Sequence, residues 1–503
     1  MNILANIERR RKRIEERLDR RWQPERLEPV MEEANIRYEV SDRVSATDAG
    51  GLGMMRSVVR CLGLAELIDE KVELLKKHRP YHESDHILSL VYSMICGEKT
   101  LDGLSSRRED EAFLDALSAR RIPHPTTAGD FLRRFDRPAV GHLMAVTNEC
   151  SARVWRQRGA AARKLAIIDV DGTIAETTGE CREQMSMAYE GSWGYHPLVV
   201  SLANSQEFLA VVNRPGNHSS NTNAAAWMDY GIRWALEDAG FESVLLRGDT
   251  AFALTKNFDR WTKSGVKFAF GIMGHARFMA DAEALPEEAW SPFNRGNPAE
   301  PSRKHQTNVR KRVVEEKGFE ELVLEAEHVA EWEYTPKRMA GSYRMIALRK
   351  TIKVLKGQAR LEDEVRYFFY VTNLDPATTD TAGIVRLCNA RCNQENLIEQ
   401  LKNGVGATRL PSVSFHGNWA HMVIGALAWN LKAWLGLLMS TTEPQLADAI
   451  LRMEFRTFVN GIIRTPVQIL HQARRLVFRL LSVNRWTHIL IHAPPRLRQL
   501  RLA

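Results

Sequence analysis

Two apolar runs in this chain end in acids. Leu165-Ala166-Ile167-Ile168-Asp169-Val170-Asp171 closes on two carboxylates, and Ser243-Val244-Leu245-Leu246-Arg247-Gly248-Asp249 closes on a third. Short apolar runs of this length, bounded by turn formers, read as buried strands. Side chains alternate along a strand, so Asp169 and Asp171 share a face. Carboxylates gathered at strand ends suit a hard divalent cation, which takes oxygen ligands. A further acid comes from a helical stretch starting near Ile384. At roughly 100° per residue, Cys388, Arg391, Glu395 and Lys402 fall within about 60° of one another on it. Glu399 stands about 40° from Glu395 around that helix and is its rival. Each feature alone has a plainer reading: acids after strands cap helices or make turns, and the Arg391, Glu395 and Lys402 row is a surface ion-pair row.

The elements around these residues form a series. Strands are expected at His196 to Asn204, Phe208 to Asn213 and Val266 to Gly271, with helices at Thr222 to Ala239 and about Ala251 to Lys263. With the two acid-tipped runs this makes β-β-β-α-β-α-β, the order of an RNase H-like core, whose first and fourth strands are neighbours. Asp171 and Asp249 would then face one ion. From Met273 to Val365, strand-like runs at Phe319 to Glu325 and Ser342 to Leu348 alternate with charged loops such as Arg303 to Arg312. A strand at Val365 to Val371 would lead the chain back, and helices resume only near Ile384. The expected fold is α/β, with an RNase H-like catalytic core (residues 160–272 and 366–440) interrupted by a β-rich insertion (273–365). A charged helical arm (1–50) and a helical DNA-binding domain (51–150) are expected to precede it, and a basic helical C-terminal region (441–503) to follow. In the N-terminal region a Pro123-His124-Pro125 turn feeds a helix carrying Arg133 and Arg134, a helix-turn-helix or a plain helical hairpin.

The 503 residues carry 70 Lys and Arg against 62 Asp and Glu, a net charge of +8 and a pI near 9.1, which favours a polyanionic partner. From Leu451 onward ten arginines, Arg474 and Arg475 among them, face the single acid Glu454. Such a tail follows a phosphate backbone. The six cysteines are scattered and match neither a disulfide framework nor a zinc site, so a reducing cytoplasm is expected. The most apolar stretch, His421 to Ser440, contains Asn430 and Lys432 and reads as a buried core helix, with no membrane partner.

Arg391, Glu395 and Lys402 match the Tyr-x-x-Arg-x-x-x-Glu-x-x-x-x-x-x-Lys signature of bacterial insertion-sequence transposases of the DDE type, with Cys388 at the tyrosine position. Asp-Val-Asp-Gly-Thr (169–173), Gly-Tyr-His-Pro-Leu (194–198), Arg-Pro-Gly-Asn (214–217) and Leu-Arg-Gly-Asp-Thr-Ala-Phe (246–252) resemble the insertion-sequence thirteen-eighty group within the insertion-sequence four superfamily. The resemblance runs from about Lys164 to Ala428, excluding the insertion. It implies a catalytic triad of Asp171, Asp249 and Glu395, with Asp169 as reserve ligand, holding two Mg²⁺ ions for which Mn²⁺ can substitute. Arg391 and Lys402 would grip the DNA backbone. The implied partners are double-stranded DNA at terminal inverted repeats, target DNA and a second copy of the chain in a synaptic homodimer, in a bacterial cytoplasm beside the nucleoid. Trp332 in the insertion is a candidate for stacking an unpaired base.

Two other readings stand beside this one. Asp169 and Asp171 in Asp-x-Asp-Gly-Thr also spell the nucleophile motif of haloacid-dehalogenase-like phosphatases, although the late acidic pair those enzymes need is replaced by Ala253 and Leu254. A catalytically inactive protein that binds transposon ends would keep the basic surfaces without using the acids.

Overall fold

The computed structural model describes residues 3–19, 36–39, 41, 43–295, 320–337, 339–356, 359–440, 443–472, 475–500 and 502. The chain divides into two compact units. A sheet unit comprises Gly159–Glu176 and Met185–Ile398, and a helical unit comprises Met1–Arg158, Thr177–Gln184 and Glu399–Ala503. The boundary thus falls at Ile398, earlier than the 440 expected from sequence, because the apolar helix Phe415–Met439 packs on the N-terminal helices.

In the sheet unit, β1 (Ala166–Gly172) is followed by a small sheet of β2 (Ala175–Glu176), β3 (Ser186–Met187) and β4 (Trp193–Tyr195). Then come β5 (Leu198–Leu202), β6 (Glu207–Val212), α1 (Ala224–Arg233), β7 (Val244–Gly248), α2 (Phe258–Lys263) and β8 (Lys267–Ile272). Every residue of β5, β6 and β7 is buried. That explains their continuous apolar runs, as in sheets covered on both faces. β1 runs parallel to β7 and β7 parallel to β8, while β5 and β6 extend the other edge antiparallel. The first and fourth expected strands are therefore neighbours, as read from sequence. Phe258 and Trp261 of α2 pack on Phe268 and Phe270 of β8, all four buried to within 1 % exposure. Each such side chain contributes about 1.5–3 kcal/mol of burial.

The expected helix at Ala251 to Lys263 is only half formed: 3-10 turns at Thr250–Phe252 and Thr255–Asn257 precede α2. Asp249 bonds its side chain to the first turn and so sets its geometry. After β8 the chain adds a helix the sequence reading omitted, α3 (Ala276–Glu283), then β9 (Ser291–Pro292) and three long strands, β10 (Glu320–Tyr334), β11 (Tyr343–Lys356) and β12 (Ala359–Thr372). The Arg303 to Arg312 loop and Phe319 lie outside the described residues. The insertion does not make its own sheet. β12 pairs antiparallel with β8, Tyr370 opposite Gly271, and the whole is a nine-stranded sheet in the order β9-β10-β11-β12-β8-β7-β1-β5-β6. The chain then enters α4 (Thr381–Asn389) and α5 (Cys392–Glu399).

In the helical unit, helices Leu52–Leu62, Glu83–Ile95 and Arg137–Gln157 surround Phe415–Met439, in which every residue but His416 is buried. Its length and composition would suffice to cross a membrane, but the protein itself encloses it. Lys432 is tolerated there because its Nζ donates to the Leu451 carbonyl at 3.1 Å and lies 3.8 Å from the Trp429 ring centroid. The C-terminal region is not all helix. Val467–Gln472 and Arg475–Leu480 form a hairpin that pairs with Ala46–Thr47. Buried Val467 and Ile469 alternate with half-buried Gln468 and Leu470, a period-two pattern that the arginine count obscures.

Candidate catalytic carboxylate cluster

β1 and β7 are in register up to Val170 opposite Gly248, so the next residue on each strand, Asp171 and Asp249, emerges at the same end of the sheet. Asp171 accepts the Gly172 amide on Oδ1 at 2.8 Å and the Arg391 Nη1 on Oδ2 at 2.6 Å. Asp249 accepts the Ala251 amide at 2.9 Å, capping the short turn that follows it. Burial pushes the Asp171 carboxyl up; Arg391 opposes this and the neighbouring Asp249 charge adds to it.

The helix expected to run unbroken from Ile384 to Lys402 is interrupted. α4 ends at Asn389, Ala390 and Arg391 form a turn, and α5 restarts at Cys392. A π-helical turn, Gln400–Gly404, then carries Lys402. Rotation at 100° per residue therefore does not hold across the stretch, and Lys402 falls in the helical unit. Arg391 sits in the break, from which its guanidinium reaches Asp171 at 2.6 Å and Glu395 Oε1 at 3.8 Å. Burial draws the Arg391 guanidinium down, but Asp171, Asp249 and Asp169 together leave it above its ordinary value. Glu395 lies in the first turn of α5 with its side chain 66 % exposed. Beside it the buried Gln394 donates to the Val199 carbonyl of β5 at 3.4 Å, tying α5 to the sheet.

Asp169 is placed differently from the reserve ligand expected of it. It is 1 % exposed, and both its oxygens accept from Arg247, from Nε and Nη2 at 2.7 Å each. The remaining Arg247 nitrogen, Nη1, donates to the Leu387 carbonyl of α4 at 2.9 Å. Arg247 thus fastens β1, β7 and α4 together, a role the sequence reading did not give it. The signal was available: a lone charge in an otherwise apolar strand must have a buried partner, and Arg247 has the parity of Asp249.

Among the described residues no three or more His, Cys, Asp or Glu stand close enough together to hold a metal ion. Arg391 instead bridges Asp171 and Glu395. The donor chemistry nonetheless suits a hard divalent cation. Among the described residues the ion pairs of Asp169, Asp171 and Glu395 are made with Arg247 and Arg391, and Asp249 also acts on Arg391, so these four acids and two arginines carry a formal excess of two negative charges.

The other expected site residues are spread over both units. The Pro125–Leu132 helix ends before the two arginines: Arg133 is its C-cap, paired with Asp130, and Arg134 follows it, both exposed. They therefore do not line a recognition helix. The partly buried Trp332 ring packs edge-on against Phe369 beside the apolar cluster of the insertion strands. Cys388 packs half-buried beside Ile384 and Val385. Glu399 accepts from Asn403 at 2.6 Å in the helical unit. Arg475 is exposed on the C-terminal hairpin, and Arg474 lies outside the described residues.

The family model described as Transposase DDE domain group 1 matches residues 29–502. No curated protein matches the chain. Among solved structures, the piggyBac transposase synaptic complex with hairpin DNA is similar at 11 % sequence identity and a TM-score of 0.33, over 80 % of this chain and 81 % of that one.

Proposed function

The chain belongs to the Transposase DDE domain group 1 family, and from this premise we propose that it cuts DNA at the ends of a mobile element and joins them to a target, with Asp171, Asp249 and Glu395 as its acidic triad. The order of strands in the sheet unit, with β1 beside β7, supports an RNase H-like core for this chemistry. The observation that carries the assignment is the single guanidinium of Arg391 linking Asp171, at the end of β1, to Glu395, on α5, while Asp249 ends the adjacent strand. Sequence motifs favour the insertion-sequence thirteen-eighty group and a bacterial source.

Asp171, Asp249 and Glu395 would hold the divalent ions, Mg²⁺ or Mn²⁺, which when bound polarise the phosphodiester and activate the attacking oxygen. The remaining roles belong to the protein's own side chains. Asp171 is held in place by the Gly172 amide and Arg391. Asp249 is held by the turn it caps. Arg391 opposes the burial that raises the Asp171 carboxyl and places positive charge beside the scissile phosphate. Terminal inverted repeats and target DNA are the substrates of this reading, and a homodimer processing two ends is its assembly.

The phosphatase alternative needs Asp169 as a nucleophile. With both oxygens held by Arg247 and 1 % exposure, Asp169 cannot approach a phosphate monoester, so we set that reading aside. Glu395→Gln and Asp249→Asn are the direct tests, on a duplex bearing the inverted repeat that flanks the coding sequence. Cleavage falls by about 10²–10³-fold or more, the scale for removing a charge-stabilising group, with DNA binding retained. Cleavage at the wild-type rate by either variant removes that residue from the triad.

A further inference from the structure

The helix Ile3–Leu18 belongs to the helical unit, and no residue on it is buried. Its sequence is not uniformly polar. Leu4, Ile7, Ile14 and Leu18 recur at alternating gaps of three and four once Arg11 is counted between Ile7 and Ile14. That spacing makes a heptad seam, with Leu4, Arg11 and Leu18 at a positions and Ile7 and Ile14 at d positions. Leu4 is 52 % exposed, Ile14 41 % and Leu18 75 %, while Ile7 is half-buried. Apolar side chains aligned on one helix face are stabilised when a partner covers them.

The charges beside the seam are sorted by sign. At roughly 100° per residue, Glu15 and Glu8 lie about 65° and 85° to one side of its centre, and Arg10 and Arg17 about 75° and 95° to the other. In heptad terms the acids hold e positions and the arginines g positions, where charge sets the partner and its direction. Two copies of the helix laid parallel bring Arg10 of each beside Glu15 of the other. Laid antiparallel, they set basic flank against basic flank and acidic against acidic. Only the parallel arrangement is attractive. Arg10 and Arg11 also touch the rest of their own unit, Arg10 Nη1 donating to the Leu481 carbonyl at 3.0 Å and Arg11 Nη2 to the Arg485 carbonyl at 3.4 Å. Both acceptors are neutral, so neither contact supplies a counter-charge. One polar residue at an a position, as Arg11 is, fixes the register of a helix pair at some cost in stability.

We propose that the helix Ile3–Leu18 pairs in parallel and in register with the same helix of a second copy of the chain, Leu4, Ile7, Ile14 and Leu18 forming the seam and Arg10 and Glu15 closing it on both sides. This rests on the homodimeric reading above and names a surface by which the two copies meet. It is independent of the acidic triad. Two heptads pair weakly on their own, so the contact adds to a dimer in which the chains are already close, where a high effective concentration makes a weak pairing count.

The test uses the full chain, with and without the inverted-repeat duplex. In Ile14→Cys, mild oxidation with copper phenanthroline joins residue 14 of one chain to residue 14 of the other. Mass spectrometry of the joined peptides separates this bridge from any made through the exposed Cys181 and Cys392. Arg9→Cys, on the far side of the helix, does not bridge. Arg10→Glu alone and Glu15→Arg alone each raise the dimer Kd in sedimentation by about 2- to 30-fold, the range for two exposed ion pairs. Mixing these two variants restores the wild-type value, because each reversed charge then meets an opposite one. A dimer without the 14-to-14 bridge, or one in which Arg9→Cys bridges equally well, overturns the pairing and leaves the homodimer standing. A chain that stays monomeric with and without duplex overturns both, and the cleavage assay on Glu395→Gln judges the triad separately. Loss of duplex affinity in Arg10→Glu with dimerisation unchanged would assign the helix to DNA and end the proposal.

Discussion

Replacing Arg247 by Met probes how the acidic end of the sheet is held. The side chains of Arg247 and Asp169 are 5 % and 2 % exposed, and the pair makes two hydrogen bonds of 2.7 Å. Methionine is of similar length but leaves the Asp169 carboxylate buried without its counter-charge. Breaking a buried pair from one side costs about 3–5 kcal/mol. The Leu387 carbonyl also loses its donor at 2.9 Å, a further penalty of about 1–3 kcal/mol if it stays dry. α4 can shift to hydrate it, so about 3–5 kcal/mol is the expected total, or roughly 10²- to 4 × 10³-fold in the opening equilibrium.

The pH dependence has a definite sign. Burial already raises the Asp169 carboxyl, and Arg247 works against that. Without Arg247 the folded-state value climbs further, so the loss of stability is complete above it and shrinks as pH falls through it. Because the two compact units need not open together, the assay is hydrogen exchange of the β1 and β7 amides rather than a global melt. The double variant Asp169→Leu, Arg247→Met removes both charges and regains protection to within about 1 kcal/mol of wild type. Exchange in Arg247→Met within about fivefold of wild type at neutral pH, or a double variant worse than the single, would refute the reasoning.

Asp171→Asn removes one of the crowded carboxylates. In the absence of metal this variant is at least as stable as wild type at pH 7, and the gap closes as pH falls through the raised Asp171 value, because the protonated wild-type side chain then carries no charge either. Mg²⁺ at a hundred times its Kd stabilises wild type by about 2.7 kcal/mol and leaves Asp171→Asn unmoved in thermal unfolding; an equal shift in both would place the ion elsewhere. In the helical unit, burial draws Lys432 down to about 7. A base with a lowered folded-state value makes the protein gain stability as pH rises from about 7 toward 10.5. Lys432→Met abolishes that gain in urea unfolding between pH 6 and pH 10, and an unchanged slope would assign it to another group.

What the sequence disclosed was decided by period and by strand ends. β1, β5, β6, β7 and β8 lie within a few residues of their expected places, because apolar runs bounded by turn formers leave little choice. The neighbouring Asp171 and Asp249 follow from the order of those strands. The break at Ala390 and Arg391 was not legible, since neither residue disfavours a helix and tertiary contacts to Asp171 and, through Leu387, to Arg247 decide the matter. The joining of the insertion to the main sheet was hidden for a similar reason: the pairing of Tyr370 with Gly271 is a contact between segments a hundred residues apart, which local patterning does not encode.

Burial separates the acids that share this end of the sheet. Asp169, with a side chain 2 % exposed and both oxygens taken, can only hold the scaffold. Asp171, at 15 %, is close enough to solvent to exchange its Arg391 contact for another cation, yet buried enough that charge on it is disfavoured without one. Glu395, at 66 %, stands in the first turn of α5, where the helix dipole favours a negative charge. An interrupted helix is what makes that last placement available. Were α4 to continue unbroken, Glu395 would sit well inside a helix, and Arg391 would lose the turn from which it reaches both acids at once.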